Sequence, residues 1–362
     1  MNNKIITIVV LIIVIILGGI WYAQKDKAVT PATGEPIKVG AVYAMTGPAA
    51  KFGEISVQGI RDAAKYFEEQ TGRKTEILVE DSAGDPKQGV SAATKLYNVD
   101  KVEIVLAGTS AISAAIAPVA ETVQKVLISD AALLGLTKDK TYTLQNFMPS
   151  LVDIPKQVNE NDEWQKIAIV YINDEFGNVW AETIKADINS PKTVETFSFE
   201  KTATDYRTNA LKVKQFAPDV VVVIGYGPAL NQVLADLEFN KIEALRIGYL
   251  SCTLPGVIGD ARYSLEGDFS YEYPPITAPD FKKWVGENGG GDNAFYTVAF
   301  ENALLALTAV SETNGTALEA LAYLKDKSID GLWGKIEFNN DGVVNRELVL
   351  TKITNGKCEP VK

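Results

Sequence analysis

The chain has 362 residues, of which 46% are apolar and 22% charged; this is typical of a globular protein and excludes a disordered or fibrous one. The formal net charge of −11 argues against binding to DNA or RNA, because phosphate recognition needs a basic surface. The sequence contains no histidine, which excludes histidine-based zinc sites, Ser-His-Asp triads and Cys-His dyads.

The N-terminal segment predicts an extracytoplasmic protein tethered to the cell membrane. Residues Ile5–Ala23 are nearly all apolar, follow Lys4, and are long enough to cross a bilayer. The end of this segment lacks the small residues of a cleavage site, so residues 1–23 are interpreted as an uncleaved signal anchor. The alternative is cleavage and secretion. Residues 24–36 are predicted to form a flexible linker.

After the linker, short apolar runs alternate with helical patterns, which indicates parallel βαβ units. The alternation restarts after about Pro149, and at this length two domains are the default. We therefore predict an α/β protein with two Rossmann-like lobes. The predicted strands are Ile37–Tyr43, Thr75–Val79, Val102–Ala107, Val126–Ile128, Ile167–Ile172, Thr193–Phe197, Asp219–Gly225 and Arg246–Leu250. The predicted helices between them are Ile55–Gln70, Lys87–Asn98, Ala111–Gln124, Gly177–Ile188, Arg207–Phe216 and Pro228–Asn240.

The last third of the chain is predicted to be mostly helical before it returns to strands at Lys335–Phe338 and Glu347–Thr354. Residues 339–342, Asn-Asn-Asp-Gly, indicate a hairpin turn. Pro118 lies inside a predicted helix, and we expect a kink or an early end there.

The most informative local feature is the corner Gly108-Thr109-Ser110-Ala111, where a predicted strand meets a predicted helix. A helix N-terminus presents free N–H groups and the positive end of a dipole, which favour a carboxylate or another oxyanion. Open α/β sheets also place their ligands at the carboxyl ends of the strands. The sequence therefore predicts a small-molecule site at this corner.

The two cysteines, Cys252 and Cys358, form neither a CxxC motif nor a metal-ligand spacing. The sequence leaves open whether they pair, and two unpaired thiols are slightly favoured. Cys252 is the one candidate nucleophile, and no histidine is available to activate it. We expect no catalytic group, no metal site and no cofactor.

Several short motifs occur in a specific order between about Ile37 and Ile353. They are Gly40–Pro48, Phe52-Gly53, Gly59, Glu80-Asp81, Asp85-Pro86, Gly108–Ser110, Ser129–Ala131, Ala168–Val170, Phe176-Gly177 and Gly225-Tyr226. In this order they resemble the type I periplasmic binding proteins, specifically the branched-chain amino-acid (Leu/Ile/Val) binding group of ABC transporters. The resemblance implies two α/β lobes joined by three crossovers, near Met148–Leu151, Tyr271–Pro275 and Gly334–Phe338. Lobe 1 would then contain residues 37–148 with 275–334, and lobe 2 residues 149–274 with 335–362.

The resemblance also implies a ligand site. Ser110 matches the serine that binds the ligand carboxylate, although a plain helix N-cap is the alternative reading. Ala131 matches a residue whose backbone carbonyl faces the ligand. The matching wall positions, for which core packing is the alternative, are Phe52, Thr109 and Phe295 in lobe 1 and Tyr226 in lobe 2.

Three departures from the family pattern affect the expected ligand. Leu133 stands where amino-acid binders have a threonine, Phe176 where they have a tyrosine, and Cys252 where a glutamate holds the ligand ammonium. A buried ammonium without a carboxylate partner costs several kcal/mol. Either another acid reaches the cleft, or the ligand is a small carboxylate or amide with an apolar or aromatic body and no ammonium, which is the favoured hypothesis. The candidates for such an acid are Asp174, Glu175 and Glu272.

The resemblance implies a solute-binding protein that delivers a small molecule to the permease subunits of an ABC importer. The alternative is a ligand-sensing ectodomain that signals to a membrane partner. Both interpretations place the ligand between the lobes, and neither involves nucleic acid.

Overall fold

The computed structural model describes residues 34–149, 153–254, 256–288, 293–313 and 315–361. The predicted anchor lies outside these residues, as does most of the predicted linker. Within the described ranges, one helix, Ala294–Ser311, is long and apolar enough to span a membrane, and 72% of that span is buried. This helix is therefore a core helix of the folded protein.

Lobe 1 is built on a six-stranded sheet with the order β13-β5-β4-β3-β1-β2, in which all neighbouring strands are parallel. Its strands are β1 (Ile37–Tyr43), β2 (Thr75–Asp81), β3 (Ile104–Ala107), β4 (Val126–Ser129), β5 (Thr143–Pro149) and β13 (Val343–Arg346). Its helices are α1 (Ala50–Thr71), α2 (Pro86–Asn98), α3 (Ser110–Val123), α8 (Pro279–Asn288), α9 (Ala294–Ser311) and α10 (Ala317–Asp326). Every residue of β3 and β4 is buried, as expected for parallel strands covered on both faces.

Lobe 2 is built on a seven-stranded sheet with the order β15-β14-β10-β9-β8-β6-β7, in which β14 and β15 are antiparallel to their neighbours. Its strands are β6 (Lys166–Ile172), β7 (Thr193–Phe199), β8 (Val220–Ile224), β9 (Leu245–Tyr249), β10 (Phe269–Glu272), β14 (Val349–Thr354) and β15 (Lys357–Pro360). Its helices are α4 (Asp153–Glu160), α5 (Glu175–Asp187), α6 (Arg207–Phe216) and α7 (Gly227–Phe239). The strands β11 (Ile329–Gly331) and β12 (Gly334–Ile336) form a separate antiparallel hairpin. The predicted two-lobe α/β fold is confirmed.

The chain passes between the two sheets three times: after β5, after β10, and between Arg346 and Val349. The third passage was expected at Gly334–Phe338, and that expectation is wrong. Strand β13 pairs in parallel with β5, and the buried Arg346 at its end forms an ion pair with Glu301 of α9. Pairing and charge neutralisation therefore hold β13 in lobe 1, although the expected division assigned it to lobe 2.

Two local expectations also differ from the structure. Helix α3 continues through Pro118 to Val123, because its buried face, which includes Ile112 and Ile116, packs into the core despite the one backbone hydrogen bond that proline cannot make. The turn at residues 339–342 joins β12 to β13, which belong to different sheets, so it is not the turn of a paired hairpin.

The helices α1 and α9 lie unusually close together, and their approach positions two aromatic side chains. A Cβ atom at Gly59 of α1 would lie 2.3 Å from the carbonyl oxygen of Tyr296 in α9, so only glycine permits this contact. The N-terminal ends of the two helices thereby bring Phe52 and Phe295 together, with 4.9 Å between their ring centroids.

Candidate ligand-binding site

The corner between β3 and α3 presents unpaired hydrogen-bond donors. Thr109 has a φ of 65°, a left-handed conformation that is strained for a β-branched residue and is characteristic of functional sites. Helix α3 begins at Ser110, so Thr109 occupies the N-cap position and the N-cap interpretation of Ser110 is wrong. Ser110 is 7% exposed, and no residue in the described ranges hydrogen-bonds to its hydroxyl. The hydroxyl and the first-turn N–H groups can therefore bind an oxyanion.

Aromatic rings from both lobes meet opposite one another in the cleft. Phe52 of lobe 1 lies 5.8 Å from Tyr226 of lobe 2 and 4.9 Å from Phe295, measured between ring centroids. Phe176 of lobe 2 lies 6.1 Å from Tyr226, and Phe147 of β5 stacks on Phe295 at 6.0 Å. The structure thus brings the four predicted aromatic positions into one cluster, to which Phe147 is added.

Tyr226 is held in this cluster by a hydrogen bond to Asp174. The tyrosine hydroxyl donates to Asp174 Oδ2 at 2.5 Å, and burial, followed by the charge of Asp174, raises the pKa of Tyr226. The other oxygen of Asp174 accepts the N–H of Gly177 at 2.9 Å and caps α5. Each oxygen of Asp174 thus accepts one hydrogen bond and keeps a further lone pair, while Glu175 beside it is exposed.

Cys252 forms a disulfide with Cys358, so the slight preference for unpaired thiols is wrong. The two residues are separated by 106 positions in the sequence, and β14 and β10 stand between β15 and β9 in the sheet, yet the Cα atoms of the two cysteines lie 6.1 Å apart. Spacing alone cannot show this proximity, because it depends on the antiparallel return of β14 and β15.

Glu272, the third candidate acid, stabilises the loop that carries Cys252. Its carboxylate accepts hydrogen bonds from the Cys252 N–H at 2.9 Å, the Ser270 hydroxyl at 2.6 Å and the Thr253 hydroxyl at 3.2 Å. Burial raises the pKa of Glu272, and these three hydrogen bonds lower it. All three donors belong to lobe 2, so the Glu272 carboxylate stabilises the interior of that lobe.

Ala131 and Leu133 follow β4 at the cleft and share one hydrogen-bond donor. The side-chain amide of Gln145 donates to the Ala131 carbonyl at 2.5 Å and to the Leu133 carbonyl at 3.0 Å. One lone pair of the Ala131 carbonyl is therefore already used, and one remains. The Leu133 side chain is buried in the core of lobe 1 and offers no polar group.

Asp130 is a buried acid at the cleft that the sequence reasoning missed. Its Oδ2 accepts the Tyr43 hydroxyl at 2.9 Å, while Oδ1 faces Gly108, where an added Cβ would lie 3.0 Å from it. Burial raises the pKa of Asp130 to about 7, against a smaller lowering by the Tyr43 hydrogen bond. In the sequence, Asp130 could have been recognised as an acid that directly follows a buried apolar strand, in the segment Ser129-Asp130-Ala131.

Two hydrogen bonds join the lobes near this cluster. The indole N–H of Trp180 in α5 donates to the Ala132 carbonyl at 2.8 Å. The side-chain amide of Asn293, the N-cap of α9, donates to the Thr253 carbonyl at 2.6 Å. The described lobes are therefore in contact across the cleft.

A separate small cavity lies inside lobe 2 and is not part of this site. Most of its lining is apolar, with Arg246 and Asp268 paired at 2.6 Å at one side. None of the nine predicted binding residues lines it. The carboxylate corner and the aromatic cluster lie between the lobes instead.

Comparison with known proteins places these features in a family. The sequence profile of a family described as "Periplasmic binding protein" matches residues 36–357. The chain is similar to the Leu/Ile/Val-binding protein of Escherichia coli K12, with 25% identity over 329 residues that cover 86% of this chain and 89% of that protein. It is also similar to the leucine-specific-binding protein of Salmonella typhimurium LT2, with 27% identity over 261 residues that cover 68% of each chain.

Solved structures share the fold. The substrate-binding protein LivJ of Streptococcus pneumoniae, in complex with isoleucine, has a TM-score of 0.77 and 19% identity, covering 90% of this chain and 98% of that one. A solute-binding protein of R. palustris, in complex with 4-hydroxybenzoate, has a TM-score of 0.78 and 20% identity, covering 91% and 96%. The chain therefore belongs to the periplasmic binding protein family and has the type I, branched-chain amino-acid-binding fold.

Proposed function

We propose that this chain is the extracytoplasmic solute-binding protein of an ABC importer. It holds a small carboxylate with an apolar or aromatic body between the lobes and delivers it to permease subunits. Residues 1–23 anchor it to the membrane. The observation that carries the proposal is the position of the Ser110 corner, with its unpaired donors, at the same cleft as aromatic rings from both lobes.

This arrangement suits such a ligand for two physical reasons. The N-terminus of α3 offers N–H groups, a hydroxyl and a favourable dipole to the carboxylate. The rings of Phe52, Phe295 and Tyr226 cover an apolar body and exclude water, which strengthens the polar contacts. The relatives support a small carboxylate as the ligand. One of them is named a Leu/Ile/Val-binding protein, and a structural neighbour was solved in complex with 4-hydroxybenzoate.

A thermal-shift screen of the full chain in detergent tests the ligand class. The panel contains amino acids, small aliphatic and aromatic acids, and amides, each paired with an analogue that lacks the carboxylate, such as 4-cresol for 4-hydroxybenzoate. A ligand at 100 times its Kd stabilises the fold by about 2.7 kcal/mol. Stabilisation by acids and not by their analogues is expected. Equal stabilisation by both, or by neither, contradicts the proposal.

The importer role is tested in cells. Deletion of the gene is expected to abolish uptake of the ligand found in the screen, and the intact gene restores it. Unchanged uptake together with a lost transcriptional response to the ligand would contradict the importer and favour the sensing ectodomain.

A further inference from the structure

We propose that the Cys252–Cys358 disulfide of lobe 2 positions part of the aromatic cluster in lobe 1. It fixes Thr253, whose carbonyl oxygen holds the side chain of Asn293 at the start of α9, and Asn293 in turn orients Phe295. Reduction of the disulfide by a dithiol therefore loosens the cleft from a distance. The inference goes beyond the proposed function, because it concerns how the cleft is held together and not what it binds.

Cys252 belongs to a tight turn, Leu250–Leu254, that follows β9. The N–H groups of Thr253 and Leu254 both donate to the Leu250 carbonyl, at 3.0 and 2.8 Å. Leu250 is buried and has a φ of 53°, a left-handed conformation that is strained for a bulky residue. Such a conformation persists only where the surrounding structure holds it. The turn therefore depends on its contacts with the rest of lobe 2.

Two strands of lobe 2 hold this turn. Strand β10 does so through hydrogen bonds, since Ser270 accepts the N–H of Ser251 at 3.0 Å. From the same strand, Glu272 accepts the N–H of Cys252 at 2.9 Å. Strand β15 is joined to the turn by the disulfide, the one covalent cross-link in the chain. Hydrogen bonds can break and re-form as the backbone moves, whereas a disulfide fixes the distance between its Cα atoms. Cutting it frees the turn to relax.

The turn contacts lobe 1 through Thr253. Its carbonyl oxygen accepts the side-chain amide N–H of Asn293 at 2.6 Å, and the side-chain oxygen of Asn293 accepts the N–H of Phe295 at 2.9 Å. Phe295 packs against Phe52 and Phe147, with 4.9 and 6.0 Å between ring centroids. One asparagine thus spans the cleft and caps α9, so a shift of the turn moves the residue that fixes Phe295.

A soluble dithiol can reach the disulfide. Cys252 and Cys358 are both partly exposed, and Cys358 lies on β15, the edge strand of the lobe 2 sheet. A thiolate of the dithiol attacks one sulfur atom and displaces the other, and its second thiol then resolves the mixed disulfide. The protein gains two electrons and two protons, and the dithiol leaves as a cyclic disulfide. Because the chain contains two cysteines, the reagent has no other target in it.

Hydrogen exchange at the start of α9 tests the inference without any ligand. The full chain in detergent is labelled in D2O for seconds, before and after treatment with dithiothreitol. This labelling is too brief for exchange through global unfolding, so strand β6 serves as a check that reduced lobe 2 is folded. Reduction is expected to speed exchange of residues 294–298 several-fold, while β6 and the lobe 1 strand β1 stay protected.

Asn293→Ser is the matched variant for this experiment. A serine hydroxyl still caps α9 but is too short to replace the bond to Thr253. In this variant the start of α9 should exchange fast in both redox states, because the connection to the disulfide is already cut. The double variant Cys252→Ser with Cys358→Ser should also exchange fast, with no response to dithiothreitol.

Three results would overturn the inference. The first is exchange at the start of α9 that does not respond to reduction. The second is a further increase on reduction in Asn293→Ser, since the effect would then bypass the bond to Thr253. The third is exchange that rises in β6 as well, which would mean that the disulfide only stabilises lobe 2 as a whole.

Reduction should also weaken the hold on a ligand. Leucine and 4-hydroxybenzoate are the probes in calorimetric titration, and a probe that binds the oxidised protein should bind the reduced protein several-fold more weakly. Equal affinity in both states contradicts the inference. Failure of both probes to bind counts against the proposed function alone, since the exchange experiment needs no ligand and still decides this inference.

Discussion

The indole N–H of Trp180 in lobe 2 donates a 2.8 Å hydrogen bond to the Ala132 carbonyl in lobe 1. Trp180 is fully buried and packs against Phe176 and Tyr249, with 4.8 Å to each ring centroid. One residue thus joins the backbone after β4 to the aromatic side of lobe 2. Because this hydrogen bond requires the lobes to meet, it stabilises the closed arrangement.

Removing this bond should weaken ligand binding. Trp180→Phe keeps an aromatic ring but removes the donor and leaves the buried Ala132 carbonyl without a partner. We expect the closed arrangement of the lobes to lose about 1–3 kcal/mol of stability. Titration should then show a weaker ligand affinity, and X-ray scattering should show a larger radius of gyration. Trp164→Phe, also buried in lobe 2, is the control and should leave both unchanged. Equal effects of the two variants would contradict the closure role.

The Ser110 hydroxyl should contribute to binding but not to stability. Hydrogen bonds to charged groups contribute about 1.5–3 kcal/mol, so Ser110→Ala should weaken carboxylate binding by roughly 10- to 100-fold. Its melting temperature should match the wild type, since no described residue hydrogen-bonds to this hydroxyl. Titration and calorimetry measure the two quantities.

Ser113, one turn further along α3, provides the opposite case. Its fully buried hydroxyl accepts a 2.7 Å hydrogen bond from Ser129. Ser113→Ala should therefore lower the free energy of unfolding by about 1–3 kcal/mol and leave ligand affinity nearly unchanged. The assignment of Ser110 is wrong if the two variants behave alike.

The Cys252–Cys358 disulfide should stabilise lobe 2 substantially. It closes a loop of about a hundred residues, for which 2–5 kcal/mol is typical. Reductant, or the double substitution Cys252→Ser with Cys358→Ser, should lower the melting temperature in scanning calorimetry. Reductant should have no effect on the double variant. An unchanged wild-type melting temperature in reductant would show that the disulfide does not stabilise the fold.

Asp130 should make the ligand-free protein less stable as the pH rises. Burial raises its pKa from 3.8 to about 7 in the folded state. The folded state therefore binds the proton more tightly than the unfolded chain, and this contribution is fully present below pH 4 and lost as the pH rises through about 7. The magnitude is on the order of a few kcal/mol.

Asp130→Asn measures this effect, because asparagine cannot ionise. Relative to the wild type, the variant should gain stability between pH 4 and pH 8 in urea unfolding. The control Asp139→Asn, at an exposed loop position of lobe 1, should show no such change. Differencing against the wild type cancels the contributions of Asp268 and Glu272, whose pKa values burial also raises. If the difference in free energy of unfolding between Asp130→Asn and the wild type does not change with pH, Asp130 is not a buried carboxyl with a raised pKa.

Most of the sheet strands and helices were predictable because their patterns are local. Strand β1 and helix α6 match the predicted ranges completely, since each has an apolar periodicity bounded by polar or turn residues. Strands β5 and β13 were not predicted. Both pair at one side of the lobe 1 sheet, with Arg346 neutralised by Glu301, and that partnership is visible only in three dimensions.

The sequence by itself determined the two-lobe α/β fold, the donor-rich corner at Ser110 and the aromatic character of the cleft. These depend on strand and helix periodicity, on a strand-to-helix corner, and on motif order along the chain. The tertiary structure alone decided the Cys252–Cys358 pair, the third passage between the lobes and the position of Asp130 beside Gly108. Each of these is a contact between residues far apart in the sequence, and strand order, which local patterns do not encode, brings them together.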